Sequence, residues 1–317
     1  MTPLFVLVDP MAGEPLSGMG APGTAAEAQA LREQAWDREI APVPLAGTIA
    51  LPPRQHPYLV QLRGADDPLL EATLELAEEE RLAAQSKGLD GEGRAVHRIG
   101  GWLQSSMHFE QLGARLSALC RVNTDAYTKA TYLRLADRRA LDLLCHVAGE
   151  HRVASQLGRV QSWTYLDAFG ALRRLRSPGE LPQPLRLDAA EWRRMEGGEM
   201  LHRTIAQWLG ELSRKDGATP RELYPAAGGA VSEAASAARK WPHRFQNSSD
   251  QVVWATLSLL HPELARLPGV QALLDDQGTQ DEPPEPLRYL HRDLDAIALR
   301  AGAAKSMQID RNSGTSW

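Results

Sequence analysis

Short apolar runs separated by polar turns predict several strands in the first half of this chain. The run at residues 4–8 (LFVLV) is apolar throughout, which is typical of a strand buried on both faces. Further strands are predicted at residues 57–62, 95–103 and 127–135. The third of these four strands carries Gly100-Gly101, a pair that indicates a β-bulge or the close approach of another backbone.

Helical patterns alternate with these strands. Thr24, the pair Asp66-Asp67 and either Ser105 or Ser106 are placed to begin one helix each, since short polar side chains accept hydrogen bonds from the free amides of a first helical turn. Asp137 is placed to begin another. The inward face of that helix carries Leu141, Leu144 and Cys145. We therefore expect an α/β or α+β lobe, in which helices flank a small β-sheet.

The pattern changes after Gly170. Residues 173–184 carry three prolines and several charges without clear periodicity, so we expect the boundary between two lobes there. The chain that follows has helical patterns and loops, beginning with a helix capped by Asp188. The predicted organisation is an α/β lobe at residues 1–175, an all-helical lobe at 188–304 and a disordered tail at 305–317.

Composition and charge narrow the class of protein. The chain has 35 basic and 40 acidic residues, spread along its length, so neither nucleic acid nor an anionic membrane is a predicted partner. Its start lacks a basic region and a long apolar core, and no run approaches the roughly 20 apolar residues that span a bilayer. Both cysteines lie in apolar helical patterns, which suits a reducing compartment. We expect a cytoplasmic protein.

Five motifs in a characteristic order resemble the effector-adaptor proteins, or effector chaperones, of type VI secretion systems. They are FVLVDP near the start, PYLVQL from Pro57, GGWLQSS from Gly100, YLRLADRRALDLL from Tyr132 and LGRVQSWTYLDAF from Leu157. The resemblance covers roughly residues 3–170, and residues 245–264 are similar to a later helical segment of longer family members. No single motif is highly specific, and their shared order carries the resemblance.

The fourth and fifth motifs contain the positions that match the family pattern. There, an arginine-bearing strand leads into Asp-Pro-Arg and an apolar helix, and a Gly-Pro with an aromatic residue follows. The matching residues here are Arg134, Asp137, Arg139, Gly158 and Trp163. Arg138 stands where the family usually has proline, and Arg159 where it often has another. The first departure removes a proline favoured at the first helical position, which is a capping preference rather than chemistry.

The resemblance implies an adaptor rather than an enzyme. Such proteins bind a toxic effector in the cytoplasm and help deliver it to the spike protein of the secretion apparatus before firing. They are not themselves thought to be exported. On this resemblance, the partners are an effector and the spike protein, and no cofactor, metal or small-molecule substrate is expected.

The residues that could suggest catalysis are more simply interpreted as structural. Cys145-His146, with Asp142 upstream, could suggest a hydrolase nucleophile with a nearby base. Adjacent residues on a helix point about 100° apart, so this cysteine and histidine cannot readily pair. Gly100-Gly101 and Gly228-Gly229 lack the following lysine of a phosphate-binding loop. A hydrolase that uses Cys145, or a histidine with a carboxylate, and a structural subunit of a larger assembly are the alternative functions.

A metal site is not predicted either. The side chains that could contribute ligands are His97, His108, Cys120, His146 and His151. Zinc sites show short, regular spacings between their ligands, and these residues show none.

Two groups of residues allow either a structural or a partner-binding interpretation. Asp137 could cap a helix with Arg139 as its ion-pair partner, or Arg139 and Arg134 could form an interaction surface. Four tryptophans in the helical half are candidate interface anchors, although their helical spacing also suits a core: Trp192, Trp208, Trp241 and Trp254. We expect the helical lobe and the groove between lobes to engage an effector segment, over roughly 1,200 to 2,000 Å² if the complex is stable.

Overall fold

The chain was analysed as a computed structural model. It describes residues 2–16, 23–45, 49, 51–87, 89, 96–127, 130–179, 184–215, 217, 222–278 and 283–313. Two compact units are present. The first consists of Met1–Ala83 and Ala95–Gly198, and the second of Ala84–Arg94 and Glu199–Trp317. This division differs from the boundary predicted at residues 173–184, because the helix capped by Asp188 belongs to the first unit and a short earlier segment belongs to the second.

The described residues of the first unit form nine strands in two sheets. They are β1 (Leu4–Val8), β2 (Ile40–Pro42), β3 (Tyr58–Leu62), β4 (Ile99–Ser105), β5 (Arg121–Thr124), β6 (Thr131–Tyr132), β7 (Val160–Leu166), β8 (Leu172–Arg176) and β9 (Arg186–Leu187). The larger sheet has the order β2-β3-β1-β4-β7-β8, and the smaller has the order β6-β5-β9. All pairings in the larger sheet are antiparallel, so the fold takes the α+β form of the prediction.

Helices pack against both faces of the larger sheet. The α-helices in the described part of the chain are α1 (Ala25–Trp36), α2 (Pro68–Ser86), α3 (Phe109–Leu119), α4 (Arg138–Ala148), α5 (Glu150–Ala154), α6 (Ala189–Glu196), α7 (Gly198–Arg214), α8 (Leu223–Lys240), α9 (Ser248–Leu260), α10 (Pro268–Asp275) and α11 (His291–Ser313). Trp36 of α1 and Ala77 of α2 belong to the core on one face. On the other face, Phe109 of α3 stacks on Phe5 of β1, and Tyr165 of β7 donates a hydrogen bond to Asp142 of α4.

Predicted helix starts agree with the structure where a side-chain cap defines them. Thr24 and Asp188 form capping boxes with Glu27 and Glu191, and Asp137 accepts a hydrogen bond from the amide of Arg139. The third helix starts later than predicted, at Phe109, because Ser105 lies within β4.

The predicted strand at residues 127–135 is wrong over most of its described length. Only Thr131–Tyr132 is a strand, because the chain then turns and the amide of Asp137 bonds to the carbonyl of Arg134. Residues 128–129 lie outside the described residues. The predicted bulge at Gly100-Gly101 is confirmed by a register shift in the pairing of β1 with β4.

The second unit is helical in its described residues, and the prediction of a helical second lobe is confirmed. Its core gathers apolar residues of α8, α9, α10 and α11 around Trp254, which lies 6.4 Å from Trp241 and 6.1 Å from Phe245 between ring centroids. The last helix continues to Ser313, past residue 305 where a disordered tail was predicted, and residues 314–317 lie outside the described residues. Among the described helices, none has the length and apolar character required to cross a bilayer.

Candidate functional site

The arginine of the fourth motif belongs to a buried ion pair at one end of the larger sheet. Asp9 follows β1 and is 2% exposed. The Nε of Arg134 donates to its Oδ2 at 2.6 Å, a second guanidinium nitrogen contacts Oδ1, and that nitrogen also donates to the carbonyl of Gln55 at 3.1 Å. Burial raises the pKa of the Asp9 carboxyl, and Arg134 offsets this only in part. The pair joins the end of β1 to the segment that precedes α4.

Arg138 forms a second buried network, which the sequence did not indicate. This residue is 3% exposed, and its guanidinium donates to the backbone carbonyls of Ile99 at 2.9 Å and Ala77 at 2.6 Å. It also pairs with Glu80 at 3.3 Å, and Glu80 accepts from Arg98 at 2.8 Å. The departure from the family's proline therefore changes more than a helix cap, because the arginine fastens the start of α4 to α2 and β4.

The remaining motif residues also stabilise this part of the fold. Asp137 caps α4, and its carboxylate pairs with Arg139 at 2.7 Å, as in the structural interpretation of the sequence. Gly158 adopts a positive φ of 56° in the turn before β7, and its carbonyl accepts a hydrogen bond from Ser177. The indole of Trp163 is buried and donates to the carbonyl of Gly100 at 3.2 Å. These contacts position strands and helices. Arg139 is half-buried and pairs with Asp137, the residue that caps its helix.

Cys145 and His146 lie in different environments. Cys145 is buried beside Tyr165, and burial raises the pKa of its thiol to about 12. His146 points to the exposed side of α4, where burial of part of its ring and the charge of Arg194 lower its pKa. A nucleophilic cysteine needs a thiolate at neutral pH and a base that contacts it, whereas burial favours the protonated thiol of Cys145, and His146 next to it in sequence lies on the exposed side of the helix.

The sequence predicts no metal site. Among the described residues, no three histidine, cysteine, aspartate or glutamate side chains lie close enough together to hold a metal ion. Cys120, one of the potential ligands, is buried, and burial raises the pKa of its thiol to about 11.

The four candidate interface tryptophans are all inward-facing. Trp192 in the first unit and Trp208, Trp241 and Trp254 in the second are each at most 7% exposed. The indole nitrogens of Trp192 and Trp241 donate to Glu196 at 2.6 Å and to Asp275 at 2.7 Å, respectively. A side chain this buried presents almost no area to another protein, so the core interpretation of these residues accounts for their positions.

An exposed surface suited to a partner is present instead on the hairpin formed by β7 and β8. Its turn is held by Asp167, which is buried and accepts hydrogen bonds from the amides of Phe169 and Ala171 at 2.9 Å. Two large apolar side chains are exposed near this turn, Phe169 at 40% and Leu172 at 55%. The hairpin therefore presents apolar area from a fixed turn.

Strand β8 forms one edge of the larger sheet, and we call its unpaired side the β8 edge. Among the described residues, β7 is its only sheet neighbour. The side chains of Arg173, Arg174 and Arg176 are exposed along it, and Leu175 is buried. Arg173 pairs with Asp167 at 3.1 Å, and Arg174 reaches across β7, donating to Ser162 at 3.1 Å and to Gln104 of β4. An open strand edge carrying exposed arginines can add a further strand from another chain.

The sequence interpretation missed this edge because it placed a lobe boundary at residues 173–184. The segment LRRLR does not alternate regularly, but the sequence DAFGA between it and β7 is a short glycine-containing connection of the kind that joins hairpin strands. That turn was the available signal.

Comparisons with known proteins add no information about this site, so its interpretation depends on the geometry alone. No family model, no curated protein and no solved structure matches this chain.

Proposed function

We propose that this chain is a cytoplasmic adaptor that binds a type VI secretion effector and helps load it onto the spike protein of the secretion apparatus. The proposal takes its specific partners from the ordered motifs in the sequence. The observation that carries its protein-binding part is the β8 edge, where the outer side of a strand has no sheet neighbour among the described residues and lies beside the exposed Phe169 and Leu172.

The structural roles of the motif residues support a binding scaffold over a catalytic one. Arg134 and Arg138 are engaged in buried ion pairs, and Asp137 caps α4. The candidate nucleophile named from the sequence, Cys145, is buried with a raised thiol pKa. A scaffold of this kind fixes the strands and leaves the hairpin surface available to another protein.

The direct test is co-purification with a candidate effector, chosen as a toxin encoded next to the gene of this chain. The tagged chain is co-expressed with that effector, and we expect a stoichiometric complex that persists through size-exclusion chromatography. The Cys145→Ala variant serves as the control, since an adaptor loses nothing when this thiol is removed. An effector that stays unbound, or a complex that requires Cys145, would contradict the adaptor proposal.

A second test is made in the bacterium that encodes the chain. Deletion of the gene should lower both the cytoplasmic amount of the effector and its delivery to target cells, and a plasmid-borne copy should restore them. Normal solubility and delivery of the effector in the deletion strain would rule out the loading role. A second effector of the same cell that is carried by a different spike is the matched control, and its delivery should not change.

A further inference from the structure

The hydrogen-bond ladder shows which backbone groups of β8 face outward. The amide of Ser177 donates to the carbonyl of Gln161, and the amide of Asp167 donates to the carbonyl of Ala171. In an antiparallel ladder, hydrogen-bonded pairs alternate with non-bonded pairs, so Arg173 and Leu175 also direct their backbone groups toward β7. The remaining positions direct their N–H and C=O groups away from the sheet. These are Leu172, Arg174 and Arg176.

The side chains at these three outward positions share one face of the sheet. Their cross-strand neighbours on β7 are Leu166, Thr164 and Ser162, in that order. A strand added at this edge would place alternate residues directly opposite Leu172, Arg174 and Arg176 on the same face. The favourable neighbours are an apolar residue for Leu172 and an acidic residue for each arginine.

We propose that the β8 edge takes up an extended segment of the partner protein as an antiparallel strand whose sequence reads acidic-x-acidic-x-apolar. The antiparallel direction follows from the rest of the sheet and from the better hydrogen-bond geometry of antiparallel pairs. Read from its amino end, the segment places its first acidic residue opposite Arg176, the second opposite Arg174 and the apolar residue opposite Leu172. This inference rests on the proposed adaptor function and names the chemistry of the segment that the adaptor holds.

Charge argues against a second copy of this chain at the same edge. Two β8 strands paired antiparallel about Arg174 would place that arginine opposite its own copy, with Arg176 opposite Leu172. Like charges directly opposite each other destabilise a strand pair. Edge arginines therefore discourage self-association and leave the edge open to an acidic partner.

Selection from a random peptide library tests the pattern directly, because the library contains many candidate segments and favours none of them at the outset. The library is displayed on phage and selected on the folded, full-length chain. We expect enrichment of acidic residues at alternate positions followed by an apolar residue. A selection that yields no common pattern, or one without acidic residues, overturns the proposal.

Hydrogen exchange then locates the bound peptide. Residue-resolved exchange should show new protection at the amides of Leu172, Arg174 and Arg176. The amides of Arg173 and Leu175, which face β7, should change little. Protection that appears elsewhere while these three amides are unaffected would contradict binding at the edge.

Two variants separate the charge of the edge from its backbone. Arg176→Glu should weaken binding of the selected peptide about fivefold, while Arg63→Glu, the same charge change at a side chain that is 71% exposed, should leave binding unchanged.

Arg174→Pro should bind the peptide at least about tenfold more weakly than Arg174→Ala, since proline removes the outward N–H and not a bond to β7. Equal binding by Arg174→Pro and Arg174→Ala, measured on variants with wild-type circular dichroism, overturns strand addition. If Arg174→Pro does not fold, the Arg176→Glu comparison and the exchange pattern decide.

Alternative occupants give different results. Concentration-dependent dimerisation that Arg176→Glu abolishes would assign the edge to a second copy, and binding of an oligo-dT probe with the same sensitivity would assign it to nucleic acid. Either result overturns the proposal. If the chain co-purifies with its effector equally well when the edge is mutated, strand addition is refuted and the adaptor function is not. If the chain binds acidic peptides at β8 but never the effector, the adaptor function is refuted and strand addition is not.

Discussion

Neighbouring residues on one helix can have opposite chemical character. Cys145 faces the core beside Tyr165, while His146 faces outward from α4. The sequence predicted this separation, because adjacent helical positions diverge by about 100°. Burial has a chemical consequence for Cys145. A thiol removed from water loses the solvation that would stabilise its thiolate, so the protonated form is favoured.

The two thiols are therefore expected to be unreactive in the folded chain. Burial raises the pKa of Cys120 to about 11 and that of Cys145 to about 12, so both stay protonated at pH 8. Alkylation with iodoacetamide, followed by mass spectrometry, should modify neither cysteine in buffer and both in guanidinium chloride. Fast alkylation of Cys145 in native buffer would revive the hydrolase alternative.

A second expectation at this scale concerns Gly101. It has a φ of +133°, and a Cβ added there would lie 2.4 Å from the carbonyl oxygen of Thr164. Gly101→Ala should destabilise the chain by about 2 to 4 kcal/mol through backbone strain and the clash. Gly228→Ala is the matched control, because this glycine lies in α8 with nothing near its Cβ position, and it should gain about 0.5 to 1 kcal/mol. Urea unfolding measures both changes.

Among the structural elements, α4 shows which contacts sequence reasoning can reach. Asp137 was recognisable as its cap because the interaction spans two residues. Arg138 was not recognisable as a buried anchor, since its partners Ala77 and Ile99 are distant in sequence. Nothing local distinguishes an arginine that will be buried from one that will be solvated.

The start of α2 predicts a dependence of stability on pH. Asp67 is buried, which opposes ionisation, but hydrogen bonds from the amides of Arg63 and Leu69 and from Arg38 outweigh burial and lower its pKa. Because the folded pKa lies below the unfolded value, this stabilisation is present above about pH 4 and is lost as pH falls through the folded pKa.

Asp67→Asn should therefore lower the free energy of unfolding by about 1 to 3 kcal/mol at pH 7, and the difference from wild type should shrink below about pH 4. Urea unfolding at a series of pH values measures it. Asp66→Asn, at the exposed neighbour, should behave like wild type throughout. A pH-independent difference for the Asp67 variant would show that its carboxylate charge is not what stabilises the helix start.

For the molecule as a whole, the second unit depends on aromatic packing. Trp254 is 2% exposed and lies against Trp241 and Phe245. Trp254→Ala should destabilise the chain by about 3 to 5 kcal/mol, as expected for a large cavity. Tyr289→Ala, at a side chain that is 59% exposed, should cost less than about 0.5 kcal/mol.

Calorimetry of both variants checks the expected costs, and effector binding is measured at a temperature where the Trp254 variant remains folded. Binding should then be unchanged per folded molecule, because the tryptophan supports the core. A loss of binding without a loss of stability would restore Trp254 as an interface anchor.

The sequence by itself determined the local features of this protein. The helix starts at Thr24, Asp137 and Asp188, the strand at Leu4–Val8 and the bulge at Gly100-Gly101 depend on hydrogen bonds and steric limits within a few residues or on a strong apolar pattern. The mixed first half and the helical second half follow from the same signals.

Only the tertiary structure decided which strand became an edge and which arginines became buried. β8 lacks regular alternation, and pairing with β7 makes it a strand while leaving its other side unpaired by the described residues. The assignment of residues 84–87 and 89 to the second unit likewise depends on contacts with residues far along the chain. Such contacts are set by packing and pairing over long separations, which a local pattern does not encode.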